Sequence, residues 1–185
     1  MNVLEHLEPK SVFRFFEEMC AIPHGSRNTK AVSDWCADFA RTRGLEYHQD
    51  GDNNIIIIKE AAPGYEAAPP VILQGHLDMV CEQTADCQKD MSREGLDLAV
   101  DGDFVYAKGT TLGGDDGIAV AMALALLDAK DLPCPRLEAV LTVDEEIGLL
   151  GAASIDVTPL KGRQMLNLDS EAEGIFTGSC AGGNN

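Results

Sequence analysis

Pro69-Pro70-Val71-Ile72-Leu73-Gln74-Gly75-His76-Leu77-Asp78 is the stretch on which the fold turns. A proline break is followed by a short aliphatic run rich in β-branched residues, which predicts a buried strand over Val71 to Gly75. The strand ends in a glycine and then presents His-x-Asp. Side chains alternate along an extended chain, so His76 and Asp78 are expected to point the same way. A carboxylate beside an imidazole fixes its tautomer and orientation, the usual setting of a metal-ligating histidine. Taken alone, the pair is a weak signal, because a satisfied structural histidine is commoner than a metal ligand. Further carboxylates, each at a strand end or a helix start, favour the metal reading.

Upstream, Val12, Phe15, Phe16 and Met19 recur at helical spacing and predict an amphipathic helix over Ser11 to Cys20. Pro23-His24-Gly25-Ser26 breaks it, with His24 read as a turn residue. Asn28 or Thr29 is placed to cap a second helix that turns Val32, Trp35, Cys36 and Phe39 inward and stops at Gly44. Leu45 to Gln49 and Asn54 to Lys59 read as two strands joined by the turn Asp50-Gly51-Asp52-Asn53. Four successive isoleucines, Ile55 to Ile58, require cover on one or both faces. His6 and His48 have no partner pattern and are expected at the surface.

Downstream, Thr84 to Leu98 is polar and irregular and predicts no element. Asp101-Gly102-Asp103 lacks the remaining ligands of a calcium loop and reads as a tight turn before a strand at Phe104-Val105-Tyr106. Gly109 to Gly117 is a glycine-rich loop opening a helix from about Ile118 to Leu127, apolar nearly all round and so expected to be buried. Asp115 and Asp116 at its start would repel a phosphate. The helix dipole favours a carboxylate there, either as a simple cap or with its oxygens offered to a cation. Leu137 to Val143 is a strand running into Asp144-Glu145-Glu146-Ile147-Gly148, and acids just past a buried strand are costly unless solvated or neutralised. A short helix spans Gly151-Ala152-Ala153. Gln164 to Leu168 is a strand ending in Asp169-Ser170-Glu171, and Ile175 to Thr177 begins another.

Strands alternating with helices predict an α/β layered domain on a mainly parallel sheet, whose working groups gather at the C-terminal strand ends. His76, Glu145, Glu146 and Asp169 lie just past such ends. One histidine with several carboxylates suits zinc, with cobalt and manganese as competitors. The 185 residues allow one substantial core, and 45% hydrophobic residues suit a folded protein. A net charge of −17 argues against nucleic acid and anionic membranes as partners. No apolar run is long enough to span a bilayer, and the N-terminus lacks the layout of an export signal. Six scattered cysteines without a CxxC then read as reduced thiols in a cytoplasm. Cys81 and Cys87 lie near the His76 loop but are poor company for hard oxygen ligands.

Four ordered motifs carry a family resemblance: His76-Leu77-Asp78, Gly114-Asp115-Asp116-Gly117, Asp144-Glu145-Glu146-Ile147-Gly148 and Asn167-Leu168-Asp169-Ser170. Together they resemble the co-catalytic zinc peptidases, which include aminoacyl-histidine dipeptidases, peptidase T, carboxypeptidase G and acetylornithine deacetylase. The run His76 to Glu82, with Cys180-Ala181-Gly182-Gly183, is most similar to the aminoacyl-histidine dipeptidases. The resemblance implies a three-layer catalytic domain and hydrolysis of dipeptides of the Xaa-His type. Tripeptide hydrolysis, N-acyl amino-acid deacylation and a non-catalytic metal-binding role stand as alternatives. It implies two zinc ions, one held by His76, Asp115 and Asp169, the other by the bridging Asp115 with Glu146. Asp78 would brace His76, Glu145 would be the general base, and the peptide between Asp115 and Asp116 would be cis. Family members are longer, with a lid that mediates homodimerisation and a late histidine that completes the second metal site. Residues 1–185 are therefore expected to be the first segment of the catalytic domain, inactive alone.

Overall fold

The computed structural model describes residues 3–170 and 174–179. Its main sheet has five strands in the order β1-β2-β6-β3-β7. These are β1 (Glu46–Gln49), β2 (Ile55–Lys59), β3 (Val71–His76), β6 (Leu137–Thr142) and β7 (Gln164–Asn167); β4 (Leu98–Asp101) and β5 (Phe104–Ala107) form a separate hairpin. β3 pairs in parallel with β6 and β7, whereas β2 is antiparallel to both β1 and β6. Four of the five strands thus point one way and only β2 runs back, so the sheet is mixed but mainly parallel. That direction brings the C-terminal ends of β3, β6 and β7 to one edge.

Three helices cover one face: α1 (Lys10–Cys20), α2 (Lys30–Arg43) and α3 (Gly114–Asp128). In α1 the predicted stripe is buried, Phe15 at 1% exposure and Met19 likewise. α2 starts after Thr29 and ends at Gly44, whose φ of 66° is the left-handed turn that glycine adopts without strain. α3 lies on α1 and β3. Asp128 at its end accepts from Arg14 of α1 at 2.8 Å and Arg43 of α2 at 2.6 Å, tying the three helices together. Their apolar faces meet Ile55, Ile57, Leu73, Ala139 and Leu141 in one core. Each fully buried leucine or isoleucine there contributes about 1.5–3 kcal/mol.

The opposite face is thinner. Among the described residues, Ile56, Ile58, Ile72 and Val140 are covered by Ile155 and Leu160, from the segment that follows α4 (Leu150–Ser154). All four isoleucines are nonetheless buried, as their composition requires.

Several expectations need correction. α3 is not buried all round, because Met122 and Leu126 face solvent on the side away from the sheet. Leu98 lies in a strand, since the turn at Gly102 folds Leu98–Asp101 back onto Phe104–Ala107. Ile175 to Thr177 is no strand: it pairs with none of the described strands, and Phe176 is 96% exposed. His24 lies in the break as expected, but is buried there, 3% exposed with Nδ1 2.6 Å from the Ile22 carbonyl. Glu171 and Cys180 to Gly183 lie outside the described residues.

Candidate metal centre

The parallel register sets the site. His76 ends β3 opposite Thr142 of β6, so the chain leaving β6 delivers Glu145 and Glu146 just beyond the imidazole. On the other side Gln74 faces Asn167 of β7, and two residues further each chain reaches His76 and Asp169. Asp115 comes from the start of α3, which packs on β3. The peptide between Asp115 and Asp116 is cis, and both residues have non-helical backbone angles. Their side chains diverge: the Asp115 carboxylate is 70% exposed, while Asp116 is 2% exposed.

A ligand atom each from His76, Asp115 and Glu146 lie within 4.8 Å of one another. His76 Nε2 is 3.0 Å from Asp115 Oδ1 and 3.9 Å from Glu145 Oε2. Asp169 stands outside this trio. It lines a cavity of about 390 Å³ together with Asp115 and Asp116, and its charge raises the carboxyl pKa of both Asp116 and Glu145. Neither Cys81 nor Cys87 joins the group.

The tautomer of His76 follows from its surroundings. Nδ1 is 2.9 Å from the Asp78 carbonyl oxygen, which only accepts, so Nδ1 carries a hydrogen. The Asp78 carboxylate is farther, 3.5 Å from Nδ1. The brace foreseen for the Asp78 carboxylate is thus made chiefly by its backbone carbonyl. The carboxylate instead accepts from Ser26 Oγ at 2.8 Å and from the Glu145 backbone N–H at 3.0 Å. It therefore fixes the loop that bears Glu145.

Ser26 is a site residue that the sequence did not disclose. Its loop is strapped to the strand end: Met79 N–H donates to the His24 carbonyl, Ser26 N–H to the Met79 carbonyl, and Arg27 N–H to Asp144 Oδ1. Gly25 allows this approach, because a Cβ there would lie 2.5 Å from Cys81 Sγ. A serine in a glycine turn, 52 residues from its partner, carries no spacing signal.

The electrostatics of the cluster suit a cation. Burial works against the His76 imidazolium, but hydrogen bonds to Asp78 and Asp115 and the charge of Asp116 outweigh it, and its pKa is pushed up to about 10. Burial raises the Asp116 carboxyl to about 7. Burial and neighbouring carboxylates also raise Glu145 and Glu146. Burial would raise Asp78 too, yet the neighbouring His76 imidazole and the hydrogen bonds from the Glu145 N–H and Ser26 Oγ hold it below the usual range. No lysine or arginine is among the groups that produce these shifts. With Nδ1–H committed to Asp78, the Nε2 lone pair and an Asp115 oxygen face each other, and two acceptors at 3.0 Å need a proton or a cation between them. One imidazole nitrogen with carboxylate oxygens is a donor set that fits zinc and its neighbours.

Sheet, helices and donor cluster together define an α/β domain with its candidate metal centre at the C-terminal strand edge. The chain is 37% identical over 183 residues, 99% of its length, to the cytosol non-specific dipeptidase of Escherichia coli (strain K12), of which it spans 38%. The aminoacylhistidine dipeptidase of Vibrio alginolyticus superposes with a TM-score of 0.89 at 38% identity, over 92% of this chain and 35% of that one. A tripeptidase from Staphylococcus aureus shares the fold, with a TM-score of 0.71 at 20% identity over 88% of this chain and 44% of its own. No family model matches the chain. The similarity read from the four motifs is therefore similarity to dipeptidases, along little more than a third of their length.

Proposed function

We propose that these residues form the first segment of the catalytic domain of a metal-dependent dipeptidase that hydrolyses Xaa-His peptides such as β-alanyl-histidine. The observation that carries this reading is the convergence of His76, Asp115 and Glu146 within 4.8 Å at the strand edge. Its support is a chain 37% identical to a dipeptidase over nearly its whole length.

His76, Asp115 and Asp169 would hold one cation, and Asp115 with Glu146 a second; zinc is the preferred ion, cobalt and manganese the substitutes. When bound, the cations supply positive charge that polarises a peptide carbonyl and acidifies a water. The chain's own residues do the rest. Glu145, beside His76 and with a raised pKa, takes the proton of the attacking water and returns it to the leaving amine. Adjacent acids would divide the work, Glu146 being committed to a cation and Glu145 left free. Asp78 holds the Glu145 backbone and, through its carbonyl, the imidazole. The substrate is a small peptide; nucleic acid and membrane are not partners. The setting is cytoplasmic, and a homodimer is expected of the longer protein.

The second cation has only Asp115 and Glu146 among the described residues. The 185-residue chain alone is therefore expected to show negligible turnover. The test is zinc-supplemented hydrolysis of β-alanyl-histidine by this chain and by a longer chain containing it. Turnover by the longer chain alone, abolished by Glu145→Gln, is expected. Activity indifferent to Glu145→Gln, or hydrolysis of acyl amino acids but no dipeptide, would overturn the assignment.

A further inference from the structure

Asp115 presents a puzzle of support. Its carboxylate is 70% exposed, and among the described residues its one hydrogen-bond partner is His76 Nε2. His76 belongs to β3 and Asp115 to the start of α3, so something must hold two separate elements in register for a 3.0 Å approach. Adjacent to Asp115, and almost fully buried, is a carboxylate for which neither the motif reading nor the proposed chemistry has a use. Asp116 Oδ2 accepts the backbone N–H of His76 itself at 3.2 Å. It reaches that N–H through the space over Gly75, where an added Cβ would lie 2.8 Å from the same oxygen. One bond therefore ties the start of α3 to the β3 residue that bears the imidazole.

We propose that Asp116, seated over Gly75, is the positioning residue that fixes the Asp115 carboxylate against the His76 imidazole. The inference rests on the metal-site reading above. It makes Gly75 part of the same device: any side chain at residue 75 displaces the Asp116 carboxylate without altering an acid.

Asp116→Asn keeps an acceptor, Asp116→Ala removes it, and Gly75→Ala evicts it. Each variant of the 185-residue chain is titrated with cobalt(II), reading the visible absorption spectrum and the dissociation constant. Hydrogen exchange of the His76 amide is followed without metal. Asp116→Asn should stay within about threefold of the unaltered chain. Asp116→Ala and Gly75→Ala should bind cobalt roughly 10- to 100-fold more weakly, the usual loss when a group supporting a metal ligand is removed. Their spectra should change, and the His76 amide should exchange faster. Should Asp116→Ala fail to fold, Gly75→Ala against Asp116→Asn decides. A carboxylate that served packing alone would lower thermal stability and leave spectrum, affinity and amide exchange unchanged, which overturns the proposal. No cobalt binding by the unaltered chain would overturn the metal reading and this inference with it. Binding that survives Asp116→Ala unchanged overturns this inference alone.

Discussion

β3 and β7 lie side by side, run the same way, and each leads into a residue of the candidate centre, yet they are built differently. β3 sits between β6 and β7 under the helices, and His76 at its end is 1% exposed. β7 is the sheet edge, exposed along its length, with Met165 at 59% and Leu166 at 52%. Neighbouring side chains on a strand point to opposite faces. Each face of β7 therefore bares one large apolar side chain, Leu166 on one and Met165 on the other, and among the described residues no strand pairs with its outer edge, an arrangement that proteins usually cover or charge. The difference gives the candidate centre a firm half and a loose half. His76, Asp78, Asp115, Asp116, Glu145 and Ser26 are cross-linked by hydrogen bonds, whereas Asp169 follows an edge strand held by its ladder to β3 and by an anchor at its entry. There the buried Glu138 accepts from the Lys161 and Gly162 backbones at 2.9 Å each, and from Arg136 Nε at 2.7 Å.

Hydrogen exchange should show the largest contrast. The β3 amides bonded to β6 should exchange only through global opening, and the β7 amides through local fraying, at rates differing by at least about 100-fold. Equal protection of the two strands would break the comparison.

Paired truncations should show the next largest. Leu141→Ala, in β6 beside β3 and 0% exposed, should cost about 2–5 kcal/mol in denaturant unfolding. Leu166→Ala, in β7, should change stability by no more than about 0.5 kcal/mol. A comparable cost at both positions would mean that β7 is packed after all.

The smallest effect concerns the β7 anchor and has a defined pH signature. Burial would raise the Glu138 carboxyl, but Arg136 and the N–H groups of Gly162 and Lys161 outweigh it and hold it below its ordinary 4.5. A depressed acid contributes its stability fully above 4.5 and loses it as pH falls through the folded value. Glu138→Gln should therefore be less stable than the unaltered chain by about 1.5–3 kcal/mol at neutral pH. The gap should close in acid. A gap constant with pH would mean that Glu138 serves through its shape alone.

Much of this was legible in the sequence, for reasons the residues make plain. The run Val71 to Leu73 and the isoleucines 55–58 could only be buried strands, and the acids just past strand ends marked the working edge. Alternation placed His76 and Asp78 on one side, but it could not tell a carboxylate brace from a carbonyl one, because both belong to the same residue. Ser26 escaped notice, and Asp116 was read only as a cap or a cation-facing acid, because their contacts are through-space meetings, with Asp78 and with the His76 backbone, that no local spacing encodes. The strand at Leu98 was hidden by a polar approach, and its pairing with Phe104–Ala107 shows only when the turn closes. The bareness of β7 was equally hidden, since Met165-Leu166 reads as core wherever it lies.

The central claim is that the centre built on His76 and Asp115, with Asp169 as the third ligand, holds a divalent cation, and zinc titrated calorimetrically into the metal-free chain tests it most directly. Three protein ligands with water in the remaining position are enough for a zinc site. The account predicts saturable binding of zinc by the unaltered chain. It also predicts that His76→Ala weakens this binding by at least about 100-fold, beyond the roughly 10- to 100-fold lost with a group that merely supports a ligand. Zinc binding of the same affinity and stoichiometry in His76→Ala would place the metal elsewhere, on the cysteines for instance, and contradict the account.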